Sequence, residues 1–150
     1  MIRKMHPSHE SGVKRLISLL EYEIQEFHQN KRSLDNFIDK NKNLELVNQI
    51  KGENIILVAE EDDQIIGLCW ISVVDRGIDK QAEINEFYVE SDFRKKGIGK
   101  KLLEEAKAEL KKRNTEVIFV WTHEYNKKAI NLYKKSGFKK STQVVYYLIP

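Results

Sequence analysis

A short glycine-containing turn between a strand pattern and a helix pattern constrains this chain more than any other feature. A strand-like run covers residues 83–89, and the turn consists of Arg94, Lys95, Lys96, Gly97, Ile98 and Gly99. Apolar residues then recur at helical spacing, at Ile98, Leu102, Leu103, Ala106 and Leu110. The first N–H groups of a helix lack intrahelical partners, and the helix dipole is positive there. The sequence therefore predicts a phosphate-binding anion site, where two glycines admit a ligand close to the backbone.

The spacing of the glycines separates this turn from other phosphate-binding motifs. A dinucleotide fold uses G-x-G-x-x-G, but Leu102 occupies the third glycine position, and the P-loop pattern G-x-x-x-x-G-K-[ST] is absent. The remaining pattern is R-x-x-G-x-G after a strand. On these six residues alone, a basic loop that caps an ordinary helix is the alternative interpretation.

A second motif follows one helix and one strand later. Residues 116–121 are rich in β-branched and aromatic side chains, which predicts a strand. The segment 126–138 then has the form N-x-x-A-x-x-x-Y-x-x-x-G-F, with Asn126, Tyr133 and Gly137 at its fixed positions. Asn126 is a typical N-cap and Gly137 a typical C-cap glycine, so the segment predicts one short amphipathic helix.

Together the two motifs resemble those of the GNAT superfamily of N-acetyltransferases, which use acetyl-coenzyme A (acetyl-CoA). The resemblance covers residues 82–140 well and the first 80 residues only by element order. It implies one α+β domain over residues 1–150, with a central mixed, mostly antiparallel sheet and helices on both faces. In the family, the fourth and fifth strands splay apart and the pantetheine arm of the cofactor lies in the gap. The implied reaction is acetyl transfer to a primary amine by direct attack in a ternary complex.

The resemblance also implies which residues bind the cofactor. These residues belong to the fourth strand, the glycine turn with the helix start, and the helix after Asn126: Phe87, Tyr88, Val89, Arg94, Lys95, Lys96, Gly97, Ile98, Gly99, Lys100, Asn126 and Tyr133. For Arg94, holding the loop and binding the ligand both remain open. Tyr133 is expected near the thioester sulfur, where a phenol can protonate the departing thiolate. Packing of its ring is the alternative role, and Tyr125 is the weaker candidate.

The general base is less clearly indicated. An attacking amine must be neutral, so a base or a water relay takes its proton. Glu83 and Glu86 on the fourth strand are the candidates, and strict alternation places them on opposite faces, where only one lines a given pocket. A solvated carboxylate or catalysis through waters is the alternative, and His123 is a further candidate. His6, His9 and Glu10 have a spacing that suggests metal ligands, but they lie near the N-terminus without a clear third ligand. No metal site is therefore predicted.

Length and composition fit a single globular domain. The chain has 150 residues, of which 41% are hydrophobic and 33% charged. No apolar run approaches the ~20 residues of a membrane span, and no signal-peptide core is expected at the N-terminus. A single cysteine, Cys69, excludes an internal disulfide framework, suits the cytoplasm and is expected to be buried. A homodimer is the default oligomeric state.

Charge is distributed unevenly along the chain. Residues 1–81 carry a net charge of −3 and residues 82–150 a net charge of +6. The basic half suits the phosphates of acetyl-CoA, and a nucleic-acid-binding domain is the competing interpretation. Three glutamates interrupt the basic stripe of the glycine-turn helix, and no nucleic-acid-binding motif is present; they are Glu104, Glu105 and Glu109. A non-catalytic acyl-CoA-binding domain is the other alternative.

The acidic first helix bears on the acceptor. It carries Glu21, Glu23 and Glu26, which favour a cationic amine, although an ordinary solvated helix face is the alternative.

Both Trp70 and Trp121 are expected in the core. The remaining predicted elements are a strand at 1–5, helices at 12–29 and 33–49 (the second with a break near 41–43 as the alternative), a hairpin of 54–60 and 64–74 about a turn at 61–63, a strand at 82–90 and a last strand at 143–149.

Overall fold

The computed structural model describes residues 1–25, 31–46, 52–146 and 148. Within these ranges five strands form one sheet in the order β1-β2-β3-β4-β5. Neighbouring strands are antiparallel, except that β4 and β5 are parallel. The elements are β1 (Ile2–Lys4), α1 (Glu10–Ile24), α2 (Leu34–Asn41), β2 (Glu53–Glu61), β3 (Gln64–Asp75), β4 (Lys80–Val89), α3 (Ile98–Lys111), β5 (Val117–Val120) and α4 (Lys127–Lys135). The predicted α+β fold with a mixed, mostly antiparallel sheet is confirmed.

Helices cover both faces of the sheet, as predicted. On one face, Val13 and Leu16 of α1 join a buried cluster with Leu68 and Trp70 of β3. On the other face, α3 contributes residues such as Leu102 to a second cluster, which α4 completes. Each such side chain gains roughly 1.5–3 kcal/mol from burial, so the sheet is stabilised from both sides. None of the helices in the described ranges is long and apolar enough to cross a membrane.

The hairpin of β2 and β3 forms where the sequence predicts it. Its two turn residues, Asp62 and Asp63, have φ angles of 48° and 61°. Two consecutive positive φ angles match the twist of antiparallel strands, and aspartate tolerates that conformation better than most residues. The hairpin places β3 in the centre of the sheet, where β3 pairs with β4 along the full length of β4.

The second helix ends early, and the described residues of the last predicted strand do not form a strand. Helix α2 ends at Asn41, so the break near 41–43 is the correct alternative. Residues 143–146 and 148 form no strand, and Val144 and Tyr146 are exposed. The prediction rested on residue preferences, but a strand also needs a ladder partner, and none of the described strands pairs with 143–146. Residues 26–29, 47–49, 147 and 149 of the predicted elements lie outside the described residues.

Candidate functional site

The cleft opens where β4 and β5 separate. Their pairing runs from Gln81–Val117 to Ile84–Val120 and stops there, whereas β3 pairs with β4 as far as Val89. Within the described part of the chain, residues 85–89 therefore have a strand neighbour on one side only. A cavity of about 1510 Å³ lies along this free edge. Because typical small-molecule pockets measure roughly 300–1,000 Å³, the cleft has room for an extended ligand.

The N-terminus of α3 closes one end of the cleft. Gly97 is the N-cap residue, with φ 80° and ψ 0°, and no side chain caps the helix. The first hydrogen bond of the helix runs from the Lys101 N–H to the Gly97 carbonyl over 3.0 Å. The backbone amides of residues 98–100 therefore lie before the first helical hydrogen bond. Lys95 also has a positive φ, of 64°, which is unfavourable by roughly 1–2 kcal/mol for a side chain of this kind. Unpaired amides, the helix dipole and the side chains of Lys95 and Lys100 make this end suited to phosphates.

The two positions of the turn require glycine for different structural reasons. A Cβ added to Gly97 would have no heavy atom within 4 Å, so the left-handed φ is what requires glycine there. A Cβ added to Gly99 would lie 3.1 Å from Leu132 Cδ2 and 3.5 Å from Phe87 Cζ. Gly99 therefore lets α3 approach α4 and β4 closely, while Gly97 shapes the loop.

Arg94 is held by protein groups on three sides. Its Nε donates to the Val89 carbonyl over 2.6 Å, and its Nη2 donates to both carboxylate oxygens of Glu23, over 3.0 and 2.8 Å. The guanidinium also lies 5.1 Å from the centre of the Tyr88 ring. Of the two roles left open by the sequence, these contacts are those of a residue that holds the loop.

Most of the expected cofactor contacts line one cleft. Lys96 does not line it, and its Nζ lies 4.8 Å from the centre of the Phe93 ring. The expected residues that do line it are Phe87, Tyr88, Val89, Arg94, Lys95, Gly97, Ile98, Gly99, Lys100, Asn126 and Tyr133. Three further basic residues, from α4, join the wall without having been predicted: Lys127, Lys128 and Lys135. The net positive charge of the second half of the chain was the available signal for them.

The caps of α4 fix the position of Tyr133. Asn126 Oδ1 accepts the Ala129 N–H over 3.2 Å, so the predicted N-cap is confirmed. Gly137 has φ 91°, and the next residue, Phe138, donates its N–H to the Tyr133 carbonyl over 3.0 Å. The Tyr133 ring lies 5.7 Å from the Phe138 ring and 6.1 Å from the Phe87 ring. Burial raises the pKa of the Tyr133 phenol, so the hydroxyl keeps its proton at neutral pH.

Both candidate glutamates lie on the same face of β4, contrary to the prediction. Glu86 pairs with Trp70 and Glu83 with Ser72, which are two residues apart on β3 and share a face. The cause is a β-bulge that inserts Asn85 into β4, since one inserted residue reverses the alternation. The sequence carried a signal for it, because the core-facing apolar positions 82 and 84 are followed by 87 and 89, one residue out of phase.

Glu86 lies in the cleft wall, whereas Glu83 is exposed outside it. Burial, and secondarily the negative charge of Glu21, raise the pKa of the Glu86 carboxyl to about 7, although Lys40 partly offsets them. Within the described residues, no group donates a hydrogen bond to this carboxyl. A carboxyl with a pKa near neutrality is suited to accept a proton at physiological pH.

The acidic groups of α1 are already compensated. Glu21 accepts from Lys40 Nζ and from Asn41 Nδ2, each over 2.6 Å. Glu23 is occupied by Arg94, and Glu26 lies outside the described residues. The two acidic residues of this face that the structure describes are therefore paired within the protein.

The basic residues at the C-terminal end of α3 are paired with carboxylates. Lys112 Nζ lies 2.7 Å and Arg113 Nη1 2.9 Å from the Glu109 carboxylate. Arg113 also reaches Glu53 over 2.7 Å. The hydrogen bonds from Lys112, then Lys4, and from Arg113 lower the pKa of Glu109 to about 2. This network joins α3 to β1 and β2, so these basic residues have a structural role.

Trp121 was wrongly expected in the core. It follows the end of β5 at Val120 and is 59% exposed in the cleft wall, because the sheet no longer covers it once the strands separate. Trp70 and Cys69 are buried as expected, and burial raises the pKa of the Cys69 thiol to about 12. His123 lies in the cleft wall, where its ring stacks on Tyr125 at 4.8 Å.

The two histidines near the N-terminus that raised the question of a metal site contact each other. His6 N–H donates to His9 Nδ1 over 3.0 Å. Arg3 Nη2 lies 2.9 Å from His9 Nε2. In the part of the chain that the structure describes, no three His, Cys, Asp or Glu side chains form a group able to hold a metal ion.

Comparisons with known proteins agree with this geometry. The chain is 38% identical over 103 residues to an uncharacterized N-acetyltransferase of Methanocaldococcus jannaschii, a match that spans 65% of this chain and 45% of that protein. An aminoglycoside acetyltransferase from an uncultured soil metagenomic sample, in complex with sisomicin, has a similar fold, with a TM-score of 0.74 and 19% identity over 100% of this chain and 95% of that one.

A second solved structure has a similar fold. AAC(6')-Iy, in complex with the bisubstrate analog CoA-S-monomethyl-acetylneamine, has a TM-score of 0.70 and 17% identity over 100% of this chain and 97% of that one. At these identities the two solved structures show the fold alone. The sequence profile of the Acetyltransferase (GNAT) family matches residues 16–138, most of the chain. The chain therefore belongs to the GNAT family of acetyltransferases.

Proposed function

We propose that this protein transfers an acetyl group from acetyl-CoA to a primary amine by direct attack, with both substrates bound together. The observation that carries the proposal is the gap between β4 and β5. The uncapped N-terminus of α3 lies at one end of this gap, and Glu86 and Tyr133 line the same cleft. The M. jannaschii relative is named as an N-acetyltransferase, and this chain matches less than half of its length.

The residues present fit acetyl-CoA in two respects. The pyrophosphate binds the amides at the start of α3, with Lys95 and Lys100 supplying positive charge. The pantetheine arm lies along the free edge of β4 at residues 85–89, where its amides hydrogen-bond as an added strand would. The bisubstrate complex of AAC(6')-Iy, which contains a CoA moiety, supports a CoA ligand for this fold.

The chemistry uses one proton acceptor and one proton donor. The neutral amine nitrogen forms a bond to the thioester carbonyl carbon, and the carbon–sulfur bond breaks. The Glu86 carboxylate takes the proton that the nitrogen loses, and the Tyr133 hydroxyl gives a proton to the departing sulfur. Exchange with solvent then restores both groups. No covalent enzyme intermediate is needed, which accords with the burial and raised pKa of Cys69.

The acceptor is an amine, and the site does not require it to carry several positive charges. Glu21 and Glu23 are paired within the protein, so Glu86 is the carboxyl that faces the cleft without a hydrogen-bonded partner among the described residues. The aminoglycoside acetyltransferase with sisomicin supports amine acceptors for this fold. Monoamines therefore belong in an acceptor screen beside polyamines, aminoglycosides and lysine peptides.

The test is titration calorimetry of the purified protein with acetyl-CoA and with CoA, followed by a thiol-release assay across the amine classes. We expect dissociation constants in the micromolar range and turnover on one class. Binding without turnover on any class would favour the non-catalytic acyl-CoA-binding domain. Absence of binding, together with steeply salt-dependent binding to DNA or RNA, would favour a nucleic-acid-binding domain.

A further inference from the structure

Two ion pairs of opposite polarity fasten α1 to the segment that leads from β4 into α3. In the first, Arg15 of α1 donates to Glu90 over 3.2 and 2.9 Å. In the second, Glu23 of α1 accepts from Arg94 over 3.0 and 2.8 Å. Residues 15 and 23 are about two helical turns apart and share one side of α1. The helix thus contacts the segment 90–94 at both ends, with the charges reversed.

The two pairs differ in their relation to the cleft. Glu23 and Arg94 line it, whereas Arg15 and Glu90 do not. Glu23 also accepts the Tyr88 hydroxyl over 2.6 Å, and Arg94 continues the chain of contacts to the Val89 carbonyl over 2.6 Å. The second pair therefore connects α1, the end of β4 and the first residue of the glycine turn.

The residue after Arg94 explains why such a connection is needed. Lys95 has a φ of 64°, which a lysine adopts only when its surroundings hold it there. Arg94 is extended, with φ −70° and ψ 164°, and its side chain is fixed at three groups. A fixed Arg94 determines where the chain enters the left-handed turn, and the turn determines where the amides of 98–100 point.

We infer that Glu23 is a positioning residue for the phosphate site of the cofactor: it acts through Arg94 and without touching the ligand. The inference rests on the proposed function, because the ligand it concerns is CoA. Helix α1, which the sequence connected only with the acceptor, thus has a role in cofactor binding. Arg94 in turn supports the phosphate loop.

The test compares Glu23→Gln with Glu90→Gln. Each variant removes the carboxylate of one of the two ion pairs that join α1 to the segment 90–94. We expect Glu23→Gln to raise the dissociation constant of CoA by about tenfold, the effect of losing roughly one charge-assisted hydrogen bond. Glu90→Gln should change it by less than about twofold, because neither Arg15 nor Glu90 lines the cleft. At saturating acetyl-CoA, kcat should be unchanged in both variants.

A double variant tests whether Glu23 acts through Arg94. Glu23→Gln combined with Arg94→Gln should bind CoA no more weakly than Arg94→Gln alone, because residues in one network are not additive. Tyr88→Phe, which removes one of the hydrogen bonds to Glu23, should weaken binding by about two- to threefold. Thermal unfolding of each variant shows that it is folded at the assay temperature.

The outcomes separate the inference from the proposed function. If the wild-type protein does not bind CoA, the proposed function is wrong and the inference fails with it. If the wild type binds CoA and Glu23→Gln binds it equally well, only the inference is wrong. Equal losses of affinity in Glu23→Gln and Glu90→Gln, or additive losses in the double variant, would also overturn it, since Glu23 would then be one stabilising contact among others.

Discussion

The two ends of the cleft are built from different parts of the polypeptide. At the loop end, the proposed anion site consists of backbone amides at the start of α3 and a left-handed Gly97, with lysine side chains around it. At the sheet end, two side chains, Glu86 and Tyr133, are held by a bulge in β4 and by the caps of α4. Changes at the loop end should therefore alter CoA affinity, while changes at the sheet end should alter turnover.

The largest expected effect comes from Glu86→Gln at the sheet end. Removal of a general base typically lowers kcat by roughly 10²–10⁴-fold, and we expect about 100-fold or more. The dissociation constant of CoA should be unchanged, because the phosphate end of the cleft is untouched. Glu83→Gln is the matched control: Glu83 is on the same strand and face but exposed outside the cleft, so its kcat should stay within about twofold of the wild type.

The pH dependence of the same variant identifies the titrating group. The carboxylate must be ionised to accept a proton, so wild-type kcat/KM should fall with decreasing pH through the Glu86 pKa of about 7. This decrease should be absent in Glu86→Gln, whose pH profile should show only the ionisation of the amine.

The same carboxyl affects stability. Its folded-state pKa is raised above the ordinary value of 4.5, so the ionised carboxyl destabilises the fold above pH 7, whereas the protonated carboxyl below pH 4.5 does not. Glu86→Gln should therefore raise the free energy of unfolding at pH 8; a loss of stability there would contradict the assignment.

Tyr133→Phe should have a smaller effect on turnover. The substitution keeps the ring contacts with Phe87 and Phe138 and removes only the hydroxyl. Because a thiol has a pKa of about 8.5 and its thiolate leaves readily, we expect kcat to fall by only about tenfold, with unchanged CoA affinity. If kcat is unchanged and the thermal stability is also that of the wild type, Tyr133 has a packing role only.

The sequence predicted the glycine turn and α4 better than the course of β4 and β5, for a physical reason. The glycine turn and α4 are each one continuous segment whose caps and apolar spacing are local, so Gly97 and Asn126 could be assigned from neighbouring residues. The orientation of Glu83 depends on a bulge, and the exposure of Trp121 depends on where β5 leaves β4. Both depend on pairing between distant strands, which strict alternation does not capture.

The smallest expected effect concerns Gly97, and the chain supplies its own control. Gly97 and Gly77 have φ angles of 80° and 81°, and a Cβ added to either would have no heavy atom within 4 Å. Replacement by alanine should therefore cost each about 1 kcal/mol of folding free energy, through the backbone alone.

Only Gly97→Ala places its Cβ where the ligand approaches the turn, so it alone should weaken CoA binding, by about fivefold. Urea unfolding and calorimetric titration of the two variants measure both quantities. Equal losses of CoA affinity would show that backbone strain anywhere in the chain weakens the site, and the distinction between the two ends of the cleft would then fail. A loss confined to Gly97→Ala, with kcat at saturation preserved, would locate binding at the loop end and leave the chemistry to the groups beside the free edge of β4.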